Sequence, residues 1–421
     1  MKAEVATWMI SGLATAGVIV RPARLPEALW AVAGAAALLA FGLIPPDAAA
    51  AGVFKGLDVY LFLIGMMLLA EVARREGLFD WLAQIAAFAA KGSPTRLFAL
   101  IYGVGIVVTA LLSNDATAVV LTPAVLAATA AAKVEDPVPY ALICAFIANA
   151  ASFVLPISNP ANLVVFGGGH MPALGVWIGR FLAPSLAAIA LTFVALYLTQ
   201  RRALARERIE RDIEVAPLSG GAKLAGAGIL ATAVVLIGAS AFDADLGAPT
   251  TIMGVLTAAA ALIRQREAPW RLAKEISWSV LPLVAGLFVL VEALNRTGVV
   301  AMLADVMTQA SQASRPGGAW GAGVLIAFAC NLMNNLPAGL LAGAALQSAH
   351  ASPDMTVATL IGVDLGPNLS VTGSLATILW LTALRREDFT VSARRFLKLG
   401  VLVMTPALLG ALAAALWLPH F

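Results

Sequence analysis

Four short polar islands interrupt long apolar stretches, and they hold the residue types from which a membrane-buried site can be built. The first is Ser113-Asn114-Asp115-Ala116-Thr117 and the second Asn331-Leu332-Met333-Asn334-Asn335-Leu336-Pro337. The third is Pro156-Ile157-Ser158-Asn159-Pro160-Ala161-Asn162. The fourth runs from Gly362-Val363-Asp364-Leu365-Gly366-Pro367-Asn368-Leu369-Ser370 to Thr372-Gly373-Ser374. Ser113, Asn114, Thr117, Ser158, Asn159, Asn162, Asn334, Asn335, Asn368, Ser370 and Thr372 offer hydroxyls and amides, which suit a small neutral polyol. No Lys or Arg lies in any island, which argues against dicarboxylates. Asp115 and Asp364 are expected to couple transport to protons. Burial and nearby helix N-termini act on such a group in opposite senses, leaving a carboxylate that titrates in use.

The four carboxylates expected at membrane depth are Glu71, Asp115, Glu292 and Asp364. Each costs about 3 kcal/mol facing lipid at a helix centre, and four together about 10, so they must face protein or water. Glu71 and Glu292 lie nearer helix ends. They are expected to pair with Arg74, Arg75 or Arg296, or to cap local helix ends.

These islands need elements to carry them. Of 421 residues, 61% are hydrophobic and 12% charged, against about 25% charged in soluble domains. Ten crossings are expected, roughly at 4–20, 26–44, 58–75, 138–166, 175–199, 223–241, 248–264, 275–293, 354–384 and 396–418. The stretches 96–133 and 319–348 are expected to be re-entrant hairpins with the first two islands at their tips. Ser, Asn and Asp suit the start of a returning arm, and Pro337 suits its first turn. A helix start at that depth carries unpaired N–H groups and a partial positive end. Pro160 and Pro367 break their crossings. Broken backbone at membrane depth is tolerated only inside protein or beside water. The plainer alternative is a pair of kinked helices whose Asn and Ser side chains bond between neighbours.

On this layout Lys2, Lys55, Arg180, Arg296 and Arg315 fall on one side, and the other 22 of the 27 Lys and Arg on the opposite side. Positive loops stay in the cytoplasm, so both termini are expected outside. Lys2 and the apolar run after it read as an anchor, since Glu4 offsets Lys2 and Arg21 and Arg24 follow. A single membrane domain, 1–421, divides into a first repeat 1–199, a cytoplasmic linker 200–222 and a second repeat 223–421. Residues 63–87 match 284–308 at an offset of 221, aligning Glu71 with Glu292 and Gly77 with Gly298. The same offset aligns Ser113-Asn114 with Asn334-Asn335. An offset of 207 sets Ser158–Asn162 beside Gly366-Pro367-Asn368. The stretches Phe79–Ala90 and 299–313 read as interfacial amphipathic helices or short buried ones. The fold class expected is an all-α polytopic membrane protein. It has two inverted-topology repeats of five transmembrane helices, each with a re-entrant hairpin and a broken helix.

At these islands the chain resembles the arsenite/antimonite efflux permeases of the ion transporter superfamily. The resemblance rests on Ser113-Asn114-Asp115 with Leu121-Thr122-Pro123, on Asn331 to Ala338, and on Asp364-Leu365-Gly366-Pro367 through Gly373-Ser374-Leu375-Ala376-Thr377. It implies secondary active export of arsenite and antimonite across the plasma (inner) membrane in exchange for protons. It also allows a cytoplasmic arsenite-stimulated ATPase and a homodimer as partners besides membrane lipid. The third island, Ile157 to Asn162, has no residue-by-residue match to a family ligand, so its role is inferred from the repeat.

Arsenous acid is a small neutral triol at physiological pH, which suits the islands. Cys144 and Cys330 lie in apolar stretches and read as small buried hydrophobes, although Cys330 adjoins Asn331. His170, His350 and His420 lack metal spacing. No cofactor or metal is expected, no catalytic set supports an enzyme, and a net charge of +3 gives no reason for nucleic acid. Other superfamily cargoes stand beside arsenite: silicic acid, sodium-proton exchange, or an organic anion, which the missing basic residues disfavour. A passive channel is separated by flux against a gradient.

The charge split makes a test. With Glu210→Cys in a cysteine-free background, an impermeant maleimide should leave intact cells unlabelled and label everted vesicles. Labelling of intact cells overturns the layout.

Overall fold

A computed structural model describes residues 2–22, 25–166, 171–211, 213–242 and 244–418. Arg24 and the C-terminal Phe421, assigned to sides above, and His170 and His420 lie outside these residues. Every regular element among the described residues is helical.

The first half runs Lys2–Val20, Glu27–Ala40, Pro46–Lys55 with Leu57–Arg75, Leu78–Ala90, Pro94–Leu111 with Asn114–Ala131, Val138–Ala150 with Pro160–Val165, and Leu174–Leu204. The second half repeats that order: Gly220–Ala241, Gly247–Gln265, Pro269–Glu275 with Val280–Arg296, Val299–Ala313, Arg315–Met333 with Asn335–Ser348, Pro353–Leu365 with Leu375–Arg386, and Ala393–Trp417. The expected linker 200–222 begins and ends in helix, since the first half's last helix continues to Leu204 and the next starts at Gly220.

Eight described helices are long and apolar enough to cross a bilayer, or ten when each of two bent pairs counts as one span. By length, three hairpin arms pass this test, while Glu27–Ala40 and Val138–Ala150 are short for a crossing. The hairpin tips bond to the two breaks, which suits re-entrant arms that end at the broken crossings. Ser158 Oγ donates to Ala110 O at 3.0 Å, and Asn335 N–H to Gly373 O at 2.9 Å.

The repeat shows in local chemistry. Ser93 and Ser314, 221 apart, both cap the first arm of a hairpin, accepting from the N–H three residues on. Gly77 and Gly298 precede the amphipathic helices with φ of 73° and 84°, which glycine adopts without the Cβ penalty of other residues.

Packing divides the helices into a frame and a core. In the frame, each half's bent helix packs on the second helix of the other half: Leu57–Arg75 on Gly247–Gln265, and Val280–Arg296 on Glu27–Ala40. Gly65 and Gly286, again 221 apart, sit at these two crossings. A Cβ on Gly65 would lie 2.3 Å from Thr250 O, and one on Gly286 2.7 Å from the Ala31 carbonyl carbon. The core holds the hairpins and broken crossings, with Leu174–Leu204 packed along Ala393–Trp417.

Residues assigned to one side meet one another. Lys133 pairs with Glu210 at 2.8 Å, docking the linker beside the first hairpin. Arg75 pairs with Glu267 at 3.1 Å and Arg264 with Glu76 at 3.4 Å.

Gly65→Val and Gly286→Val should each overpack a frame crossing at a cost of about 1–3 kcal/mol. Thermal unfolding of purified protein should show a clear drop for both, while Gly238→Ala, with open space beside it, stays near wild type. Unchanged unfolding in both valine variants contradicts the crossings.

Candidate functional site

Each hairpin turns on a polar residue that caps its own returning arm. Ser113 Oγ accepts from the Ala116 N–H at 3.2 Å, and Asn114 Oδ1 from the Asp115 N–H at 2.9 Å. Asn334 Oδ1 accepts from the Leu336 N–H at 3.3 Å. Asn334 holds φ at 73° with ψ at 154°, outside the left-handed helical region and in one that glycine alone enters readily. Beyond the first tip the arm widens into a π-turn at Thr117–Leu121. Pro123 has no N–H to continue the ordinary helical ladder there. From this turn the Thr117 hydroxyl bonds that of Thr109 on the first arm at 2.8 Å.

The tips pack crosswise. The first tip helix lies on Leu375–Arg386 of the other half's broken crossing, and Asn335–Ser348 lies on Pro160–Val165 of the first half's. The arms that follow the two breaks therefore wall the opposite half's hairpin, while the breaks themselves bond to the hairpin of their own half.

The first break frees carbonyls, and Asn162 takes them up. Its Nδ2 donates to Ser152 O at 2.9 Å, Pro156 O at 3.2 Å and Leu155 O at 3.4 Å. Ser158 Oγ accepts from the Leu155 N–H at 3.1 Å and reaches the first hairpin through Ala110 O. The second break is stitched from the hairpin arm by Asn331, which donates to Gly366 O at 2.9 Å and Ala327 O at 2.8 Å. Ser370 donates to Asn331 Oδ1 at 2.6 Å, and Thr372 to Asn331 O at 3.1 Å.

Two side-chain bonds join the breaks across the halves. Asn159 Nδ2 donates to Asp364 Oδ1 at 2.7 Å, and Asn149 Nδ2 to Asn368 Oδ1 at 3.0 Å. Asn149, Asn162, Asp364 and Asn368 are wholly buried, and Asn159 nearly so. Ser113, Asn114, Thr117, Ser158, Asn334 and Asn335 are also buried, while Asp115, Ser370 and Thr372 keep partial exposure. The structure thus brings Ser158, Asn159 and Asn162 together with Asp364 and Asn368. It gathers Ser370 and Thr372 about Asn331, next to Asn335. Asp115 stays on the first tip, and no hydrogen bond joins it to Asp364 among the described residues.

Two expectations change. The repeat relating the breaks has an offset of 215, not 207. At 215, Val138–Ala150 overlies Pro353–Leu365, and the caps Asn159 and Ser374 coincide. Asn159 accepts from the Ala161 N–H and Ser374 from the Thr377 N–H. Asp364 then corresponds to Asn149, a residue the sequence reading missed; its only signal was that register. Glu292 pairs with Lys55 at 2.6 Å rather than with Arg296, because the short helix of the other half lies nearer than the end of its own. Glu71 pairs as expected, with Arg74 at 2.6 Å and Arg75 at 3.4 Å. Asn331 is also a site residue that the sequence reading quoted in its island without assigning it a role.

Cys144 and Cys330 are fully buried and unpaired by disulfide. Cys330 Sγ lies 3.8 Å from Val363 O, against the helix that ends at Asp364 and Leu365.

A family model described as a citrate transporter, CitMHS, matches residues 15–363. The arsenical pump membrane protein of Escherichia coli (strain K12) is 27% identical over 370 residues, covering 83% of this chain and 84% of that one. That of Yersinia enterocolitica is 28% identical over 367 residues, with the same coverage. An uncharacterized transporter of Mycobacterium tuberculosis (strain ATCC 25618 / H37Rv) is 26% identical over 421 residues, covering 96% of each chain. These relatives bear out the resemblance read from the islands. In fold the chain is similar to the Alcanivorax borkumensis YdaH transporter, whose crystal structure is described as having an unusual topology. The TM-score is 0.59 at 15% identity, covering 89% of this chain and 90% of that one.

Proposed function

Because the chain belongs to the citrate-transporter family CitMHS, we propose that it is a multi-pass membrane transporter whose cargo is arsenite, with antimonite, exported across the plasma membrane in exchange for protons. The observation that carries this reading is the chemistry at the crossing of the halves. Buried amides and hydroxyls converge there without Lys or Arg. A tricarboxylate such as citrate needs fixed positive charge to offset its own. A neutral triol needs donors and acceptors, which Asn, Ser and Thr supply in both senses. Relatives named arsenical pump membrane proteins, 27–28% identical over most of the chain, point the same way.

The substrate lies between Ser113-Asn114 with Thr117 on one tip and Asn334-Asn335 on the other. Ser370 and Thr372 are the wall residues with exposed surface. Alternating access follows from inverted halves, each exposing this volume to one side in turn. Asp115 and Asp364 carry the exchanged protons. The side rich in Lys and Arg, including the linker about Glu210, is cytoplasmic, and it is where an arsenite-stimulated ATPase would dock. Both termini are extracytoplasmic. Silicic acid is a neutral polyol as well and enters the test as a competitor.

Uptake of arsenite into everted vesicles under an imposed pH gradient tests the reading. Asn114→Ala and Asn335→Ala each remove a partner from a buried network, at about 1–3 kcal/mol or roughly 5- to 150-fold in affinity. Cys144→Ser and Cys330→Ser should matter much less. Asp115→Asn with Asp364→Asn keeps shape and removes titration, leaving at most gradient-independent exchange. Transport that prefers silicate or citrate sinks the cargo assignment, and proton-driven arsenite transport in the double mutant sinks the coupling sites.

A further inference from the structure

Three buried oxygen acceptors about the first break have no donor: Asn149 Oδ1, Asn162 Oδ1 and Asp364 Oδ2. Their orientation is fixed by backbone groups. Asn162 turns its Nδ2 to three carbonyls, so its Oδ1 faces away from them. Asn368 donates to Phe146 O at 3.0 Å. It therefore presents Oδ1 to Asn149, which must answer with Nδ2 and keep Oδ1 free. Asn159 accepts from the Ala161 N–H, so its Nδ2 goes to Asp364 Oδ1 and leaves Oδ2 alone. Two of the three acceptor residues meet at Ser152, whose hydroxyl donates to Asn149 O at 2.8 Å and whose carbonyl takes Asn162 Nδ2. Asp364 joins them through Asn159 of the same break.

Buried acceptors without donors are rare and costly. Swapping amide ends does not help, because each swap sets an acceptor against a carbonyl or a donor against an N–H. Protonating Asp364 alone supplies one hydrogen, which still leaves an amide oxygen with no donor. A proton with one water supplies three hydrogens for three oxygens, and a sodium ion is bound directly by such oxygens.

We infer that Asp364, Asn149 and Asn162, closed by Ser152, form the seat of the coupling ion: one monovalent cation, either a hydrated proton or sodium. This rests on reading Asp364 as the coupling carboxylate. It adds Asn149 and moves Asn162 from substrate ligand to ion ligand. On the packed helix Arg315–Met333 the buried titratable side chain is Cys330, its Sγ 3.8 Å from Val363 O. The packed segment Val138–Ala150 carries the weak acids Tyr140 and Cys144 and no charged residue, and Pro160–Val165 and Asn335–Ser348 carry no titratable residue. Arg315, Arg394, Arg395 and Lys398, on the other packed helices, are exposed near the helix starts. Arg180, near the start of Leu174–Leu204, is half-buried, and Arg201 and Arg202 at its far end are exposed.

The test uses purified full-length protein without arsenite. Thermal unfolding is followed in potassium buffer, with sodium replacing potassium, and infrared spectra are recorded across pH. A sodium seat raises the unfolding temperature saturably over potassium and choline. A proton seat gives no sodium effect but a protonated-carboxyl band that disappears in Asp364→Asn. Asn149→Leu should weaken whichever response is seen about tenfold, as a higher sodium requirement or a band midpoint about one pH unit lower. Neither response in wild-type protein overturns the seat, and a response unchanged in Asp364→Asn or in folded Asn149→Leu does so too. If Asn149→Leu does not fold, the wild-type and Asp364→Asn arms still decide. Arsenite is absent throughout, so failure here leaves arsenite efflux, measured in vesicles, standing.

Discussion

The constraint on which this molecule depends is that backbone broken at membrane depth must find partners inside the protein. Each broken crossing frees carbonyls and N–H groups where no bulk water serves them. One asparagine beside each break does most of the stitching: Asn162 takes three carbonyls at the first, and Asn331 takes two carbonyls, one of them Gly366 O, at the second. The polar islands are thus structural before they are functional. Only the atoms left over from that stitching are free for cargo or ions.

Holding two such breaks against each other requires a frame that does not yield. The frame helices cross between halves at Gly65 and Gly286, where backbone meets backbone too closely for a side chain. Ion pairs tie the same bent helices across the halves: Glu292 to Lys55 at one end, Arg75 to Glu275 at 2.8 Å at the other. The carboxylate belongs to the long helix in one pair and to the short helix in the other. The two ends therefore share a geometry and differ in charge. Clefts open beyond the frame at the outer end of each hairpin. One is lined by Asp80, Glu135 and Glu387, the other by Arg315 and His350.

Much of this was legible in the sequence because helices at membrane depth are long, apolar and ended by caps. Val299–Ala313 was bounded correctly, and Asn334 and Ser113 were recognised as tips because their types suit a helix start inside apolar surroundings. The register of the breaks was not legible. Asn-Pro in one and Gly-Pro-Asn in the other look alike as strings, yet the residues that coincide are the caps Asn159 and Ser374. Asn149 sat unnoticed in an apolar run, since one amide on a helix has no pattern of its own. The partner of Glu292 was missed because Lys55 is 237 residues away, and no local rule reaches that far. The glycine crossings also need a neighbour to have meaning.

The central claim is that cargo is held by oxygen and nitrogen groups at the crossing of the halves, not by sulfur. Cys144 and Cys330 are buried free thiols on different helices, Cys330 against the Val363 carbonyl. Trivalent arsenic bound by thiolates has short arsenic–sulfur contacts, whereas arsenous acid held by amides keeps three oxygens. X-ray absorption at the arsenic edge, on purified protein equilibrated with arsenite, reads this directly. The account predicts an oxygen shell without sulfur, unchanged in a cysteine-free variant. A sulfur shell that vanishes with Cys330→Ser would contradict it.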